Sequence, residues 1–170
     1  MKLFLTGEIQ IGKSTEIEKT LTLLNITYGG FKTYFGPDRR SGDRWLYLNA
    51  ADEPNVFTEE KGIVRFRKGC PTWIDTDKFD AYGVELIRAA RASADLLLMD
   101  ECGNFERDAR KFQQEIIASL DDDQPVLGVI KLASSGFTDE LRNHPKVKLI
   151  TVTRENRDEL PNMMTRCFGF

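Results

Sequence analysis

Gly7-Glu8-Ile9-Gln10-Ile11-Gly12-Lys13-Ser14 is a complete G-x-x-x-x-G-K-[ST] stretch, which requires a strand before it and a helix after it. Such a loop gathers several backbone N–H groups around one anion, and Gly7 and Gly12 allow the backbone angles this requires. Lys13 supplies a point charge for the β- and γ-phosphates of a nucleotide, and the Ser14 hydroxyl is suited to ligating Mg²⁺. The pattern works only between a strand and a helix. Lys2-Leu-Phe-Leu-Thr6 is a short, mostly apolar run suited to a buried strand, and Ile17, Leu21 and Leu24 recur at helical spacing after Ser14. The helix then aims its positive end at the bound phosphate. Residues 7–15, Thr15 included, form the expected nucleotide-binding segment.

Hydrolysis or transfer needs a second group on a neighbouring strand. Asp95-Leu-Leu-Leu-Met-Asp100 is a continuous apolar run ending in a carboxylate. It reads as a central parallel strand covered on both faces, with Asp100 at the carboxyl end, where ligands gather in such sheets. This is the Walker-B pattern, in which the acid holds Mg²⁺. Glu101 follows and is assigned as the general base or water-positioning group, the alternative being a cap on the turn at Gly103-Asn104. Glu106 either lines the same pocket, bonding a backbone amide, or is a solvated loop carboxylate. Charge on a transferring phosphoryl group also needs countering. The candidates are Arg39, Arg40 and Arg44 near a hairpin turn, Lys131 past a strand end, and Arg154 and Arg157 after the last strand. Arg40 and Arg44 flank Ser41-Gly42-Asp43 and are placed to close over the phosphates, so Arg44 is taken as the catalytic cation. Asn156 offers a donor and an acceptor, and Arg157 a flat stacking face, to a nucleobase. Asn156 or Thr153 serves equally as a helix cap.

Outward from these stretches, Tyr28–Gly36 and Arg44–Asn49 read as two strands of a hairpin turned by Pro37–Asp43, with Ile63–Arg67 as a third antiparallel strand. Residues 50–62 and 68–75 read as loops. Thr76 or Asp77 caps a helix to about Ser93, with Phe79, Tyr82, Leu86, Ile87 and Ala90 on its apolar face. A helix over 108–120 turns Phe112, Ile116, Ile117 and Leu120 inward. Pro125–Ile130 is a buried strand, 137–143 a short helix, Val147–Val152 a further strand and 155–166 the last helix. The expected architecture is α/β: one domain over residues 1–170, with a mostly parallel open sheet, helices on both faces and an antiparallel hairpin inserted after the first helix.

A formal charge of −3 in 170 residues argues against nucleic acid or an anionic membrane as partner. No apolar run approaches a membrane span and no signal peptide is seen, which points to the cytoplasm. Cys70, Cys102 and Cys167 lack metal-site spacing and read as reduced thiols, and His144, the single histidine, reads as a solvated loop residue. No obligate protein partner is evident.

Four stretches in the same order resemble a known family: Phe4–Thr15, Gly29-Gly-Phe-Lys-Thr33, Leu98-Met-Asp-Glu-Cys-Gly-Asn-Phe-Glu106 and Thr153-Arg-Glu-Asn-Arg-Asp-Glu-Leu160. The resemblance is to the small nucleoside-triphosphatases typified by thermophile enzymes and the human cancer-related nucleoside-triphosphatase, and it spans nearly the whole chain. It implies a P-loop NTPase fold and Mg²⁺-dependent hydrolysis of nucleoside triphosphates such as ATP and GTP to diphosphate and phosphate, with loose base preference. Lys13, Ser14, Asp100, Glu101 and Glu106 match the family's site positions, and Arg157 its late motif. Glu8-Ile9-Gln10, Cys102 and Asn104-Phe105 depart from the family's usual residues. A small-molecule kinase and a nucleotide-dependent switch are the competing readings.

Overall fold

Phe4 enters one half of the core while Leu3 and Leu5 enter the other, because successive side chains of a strand alternate. The computed structural model in which this is seen describes residues 1–169; Phe170, the last residue of the expected domain, lies outside the described residues. The strands are β1 (Lys2–Thr6), β2 (Tyr28–Phe35), β3 (Asp43–Ala50), β4 (Gly62–Arg67), β5 (Trp73–Ile74), β6 (Leu96–Cys102), β7 (Val126–Ile130) and β8 (Val147–Thr151). They form one eight-stranded sheet in the order β5-β4-β3-β2-β6-β7-β1-β8. Pairing is parallel from β2 through β8 and antiparallel among β2, β3, β4 and β5. β2 is thus the junction. Residues 28–32 pair with β6, and residues 31–35 pair with β3. The hairpin extends the sheet edge.

Helices cover both faces. Ile17, Leu21 and Leu24 of α1 (Lys13–Leu24) meet Leu3, Leu5, Leu96 and Leu98 on one side. A helix made of α2 (Thr76–Lys78), a wide π-helical turn (Phe79–Gly83) and α3 (Val84–Ser93) covers the other, with α4 (Arg110–Asp121) and α5 (Gly136–Asn143). The last helix, α6 (Leu160–Phe168), returns beside α1. β6 has Leu96 and Leu98 in one half of the core and Leu97 and Met99 in the other, as its unbroken apolar run requires.

Several expectations need correction. Residues 50–62 and 68–75 are not wholly loop: Glu59–Lys61 makes a 3-10 turn, and Trp73–Ile74 pairs with Val64 and Arg65. The α2 cap is Asp75, whose Oδ1 accepts the Lys78 N–H at 2.9 Å, so it lies one residue before Thr76. His144 is not solvated. Its side chain is 12% exposed and its Nε2 lies 3.6 Å from Asp121 Oδ1. On α4 a glutamate joins the inward face: Glu115 is buried because Arg88 and Arg91 of α3 reach it at 2.9 and 2.5 Å. No helix among the described residues is long and apolar enough to cross a membrane.

Gly83, which ends the π-helical turn, has a packing reason. Gly83 lies against the ring of Phe112, which is wedged between Phe31 and Phe79 at centroid distances of 4.9 and 5.3 Å. A Cβ at Gly83 would meet Phe112 Cε2 at 2.6 Å. Helix propensity alone expects Gly83→Ala to stabilise by about 1 kcal/mol. The ring cannot retreat from two others, so overpacking of about 1–3 kcal/mol wins. The thermal midpoint of Gly83→Ala is expected to fall; an unchanged or raised midpoint contradicts this packing.

Candidate functional site

β1 delivers the chain to the phosphate loop, and α1 carries it away. Gly7 has φ 141° and a Cβ there would meet the Val152 carbonyl oxygen at 2.9 Å; Gly12, capping α1, has φ 107°. Both positions demand glycine. Gln10 takes φ 62° without being glycine. Gly7, Glu8, Ile9, Gln10, Gly12, Lys13, Ser14 and Thr15 all line one groove of about 960 Å³, whereas Ile11 packs against the core beside α1. Lys13 Nζ donates to the carbonyl oxygens of Gly7 and Glu8 at 2.9 and 2.8 Å, which holds the ammonium over the loop. Burial lowers its pKa, and the Glu101 and Asp100 carboxylates oppose that fall.

Across the groove stand the ends of β6 and β7. Glu101 and Lys131 line it, paired at 3.2 Å between Nζ and Oε1, with Lys131 also over the Phe105 ring at 4.8 Å. The Lys131 N–H donates to the Cys102 carbonyl at 2.9 Å and so ties the two strand ends together. The Asp100–Glu101 peptide is cis. Asp100 lies in register with Lys32 of β2. Burial, and then the neighbouring Glu101, push its pKa up to about 7; Lys13 and Lys32 oppose this.

Glu106 is buried, and its Oε1 accepts the Gly103 N–H at 2.5 Å, the backbone-amide arrangement read from the sequence. Burial raises its pKa to about 7 against the lowering effect of that bond and of Lys131. The loop from Glu101 to Glu106 is therefore closed on itself by a carboxyl.

Not every candidate reaches the groove. Arg44 has its guanidinium 4.6 Å from the Phe66 ring centroid, and its Nη1 donates to the Ser41 carbonyl at 3.2 Å. The arginine lining the groove from the hairpin turn is Arg39. Asn156 Oδ1 accepts the Thr153 N–H and its Nδ2 donates to the Thr151 carbonyl, both at 2.9 Å, so its own loop holds the amide, which makes no side-chain cap to the turn at Arg157–Glu159. Arg157 is exposed beside Asp158, with Nε 3.5 Å from Oδ1. Sequence reasoning missed Arg142. From α5 it donates to the carbonyl oxygens of Lys131 and Ala133, holding the loop on which Lys131 sits. Phe35 and Leu132, both partly exposed, also line the groove.

A sequence model of the family described as NTPase matches residues 2–165. The chain belongs to that family. As an NTPase it is an enzyme of the hydrolase class. The nucleoside-triphosphatase THEP1 of Thermofilum pendens is 31% identical over 173 residues, covering 95% of this chain and 92% of that one. That of Thermotoga maritima is 27% identical over 173 residues, covering 100% and 97%. The crystal structure of THEP1 from Aquifex aeolicus superposes with a TM-score of 0.77 at 21% identity over the whole of both chains, a likeness of fold.

Glu106 offers a test of its burial. The folded chain keeps a proton up to about pH 7 that an unfolded one, with the ordinary value of 4.5, releases. Folded protein thus binds more protons across that window, and stability falls as pH rises through it. Glu106→Gln removes this contribution, of roughly 3 kcal/mol at most. Urea midpoints between pH 4.5 and 7 should decline less steeply in the variant; parallel curves contradict the assignment.

Proposed function

We propose that the chain hydrolyses nucleoside 5′-triphosphates to the diphosphate and inorganic phosphate, with Mg²⁺ as cofactor and little preference among bases. The observation that carries the reading is one groove with the phosphate loop on one wall and Glu101 and Lys131 on the other. Lys13 and the N-terminal end of α1 hold the β- and γ-phosphates. Glu101 orients a water for in-line attack and takes its proton. Lys131 fixes the Glu101 carboxylate, and Arg39, in place of Arg44, offsets charge spreading over the equatorial oxygens.

The donor set fits Mg²⁺. Ser14 offers a hydroxyl and Asp100 a carboxylate that burial and Glu101 make costly to ionise, a cost that a divalent cation relieves. Among the described residues no cluster of three or more His, Cys, Asp or Glu would hold a metal alone. Ser14 and Asp100 would hold the cation, with water and phosphate oxygens completing its shell. When bound, it would supply positive charge against that developing on the phosphates. Loose base preference is supported at Asn156, whose amide is committed to the backbone of its own loop.

The test is phosphate release from ATP, GTP, CTP and UTP. All four should be cleaved with Mg²⁺ and none after chelation. Glu101→Gln should bind triphosphate yet lose about 10²–10⁴ in turnover, and Arg39→Ala should slow turnover more than Arg44→Ala. Undiminished turnover in Glu101→Gln removes the assigned base, and the reverse ranking of the arginines returns that role to Arg44.

A further inference from the structure

Behind Glu101 lies a second, smaller cavity of about 110 Å³. Its walls include Thr33, Phe35, Leu46, Phe79, Phe105 and Glu106. It meets the groove at Phe35, Glu101 and Lys131, which line both spaces. Alternation along β2 sends Thr33 and Phe35 to the side on which Phe31 is buried, so the threonine side chain faces this space.

Position and lining suggest an occupant. A nucleophile approaches the γ-phosphorus from the side away from the leaving oxygen, where Glu101 awaits its proton. At roughly 30 Å³ per water, the cavity holds a few waters or one two- or three-carbon alcohol. Waters need two to four polar partners each, and four of these walls are phenyl or isobutyl groups. The lining is mixed, with phenyl and isobutyl groups beside the polar atoms of Thr33, Glu101, Glu106 and Lys131, and such a lining suits a small carbon skeleton carrying hydroxyls.

We propose that the site also transfers the γ-phosphoryl group to small alcohols and polyols seated in this cavity. The inference rests on the triphosphatase reading above. The alcohol oxygen attacks phosphorus while its proton passes to Glu101. The bond from phosphorus to the β–γ bridging oxygen breaks, and the nucleoside diphosphate leaves with that electron pair. Glu101 then returns its proton to solvent. The products are a phosphate monoester and a diphosphate.

Phosphorus NMR of ATP turnover with Mg²⁺ and glycerol, or ethylene glycol, tests this directly. The ester's share of product should exceed the alcohol-to-water mole ratio by about tenfold or more, because a seated acceptor has a raised effective concentration. Thr33→Ile fills the cavity and should return the share to the mole ratio while phosphate release continues; Thr33→Ser should keep the wild-type share. Each share is a ratio within one sample, so it does not depend on how much variant folds. Inorganic phosphate alone, or an ester share at the mole ratio and unmoved by Thr33→Ile, overturns the proposal and leaves the triphosphatase standing. A failure to consume ATP at all overturns both.

Discussion

The parallel register of β1, β7 and β6 is the constraint on which the site depends. Leu5 lies opposite Val129, Met99 opposite Gly128 and Cys102 opposite Ile130, so the three strands end at one level. The phosphate loop leaves the first of them, Lys131 the second, and the acids sit on the third. Two strand spacings, about 10 Å, therefore separate the loop's strand from the acids' strand. Such a gap suits a terminal phosphate with a metal or a water beside it. Gly128 keeps the middle strand in place, since a Cβ there would meet Phe4 Cε1 at 2.4 Å and the Met99 carbonyl oxygen at 3.0 Å.

That register also concentrates like charge. Asp100 and Glu101 are adjacent on one strand end; burial first, and then the Glu101 charge, push Asp100 up to about 7. Lys13, Lys32 and Lys131 converge on the pair from three other elements. Of these, Lys131 pairs directly with Glu101. The proposed Mg²⁺ and triphosphate would each meet opposite charge at such a site.

Much of this was legible along the chain because the deciding forces are local. The phosphate loop is a set of backbone angles written as Gly7 and Gly12, and β6 is a buried strand written as four apolar residues before an acid. What escaped depends on partners distant in sequence. A strand of two residues, β5, has no period to read and exists only through Val64 and Arg65. Arg44 and Arg39 look alike in the turn, and it is Phe66 on another strand that draws Arg44 away. Glu115 is not among the apolar residues read for α4, and Arg88 and Arg91 arriving from α3 are what bury it. His144 is covered by the fold around it and faced by Asp121. Asn156 suits either a base contact or a cap when read alone, and the backbone of Thr151 and Thr153 takes its amide instead.

A crystal structure with Mg²⁺ and a non-hydrolysable triphosphate analogue shows where the phosphates sit relative to the loop and the acids. The terminal phosphate should lie between Lys13 and Glu101, with the metal facing Ser14 and Asp100. A terminal phosphate seated in the loop but remote from both acids would contradict it.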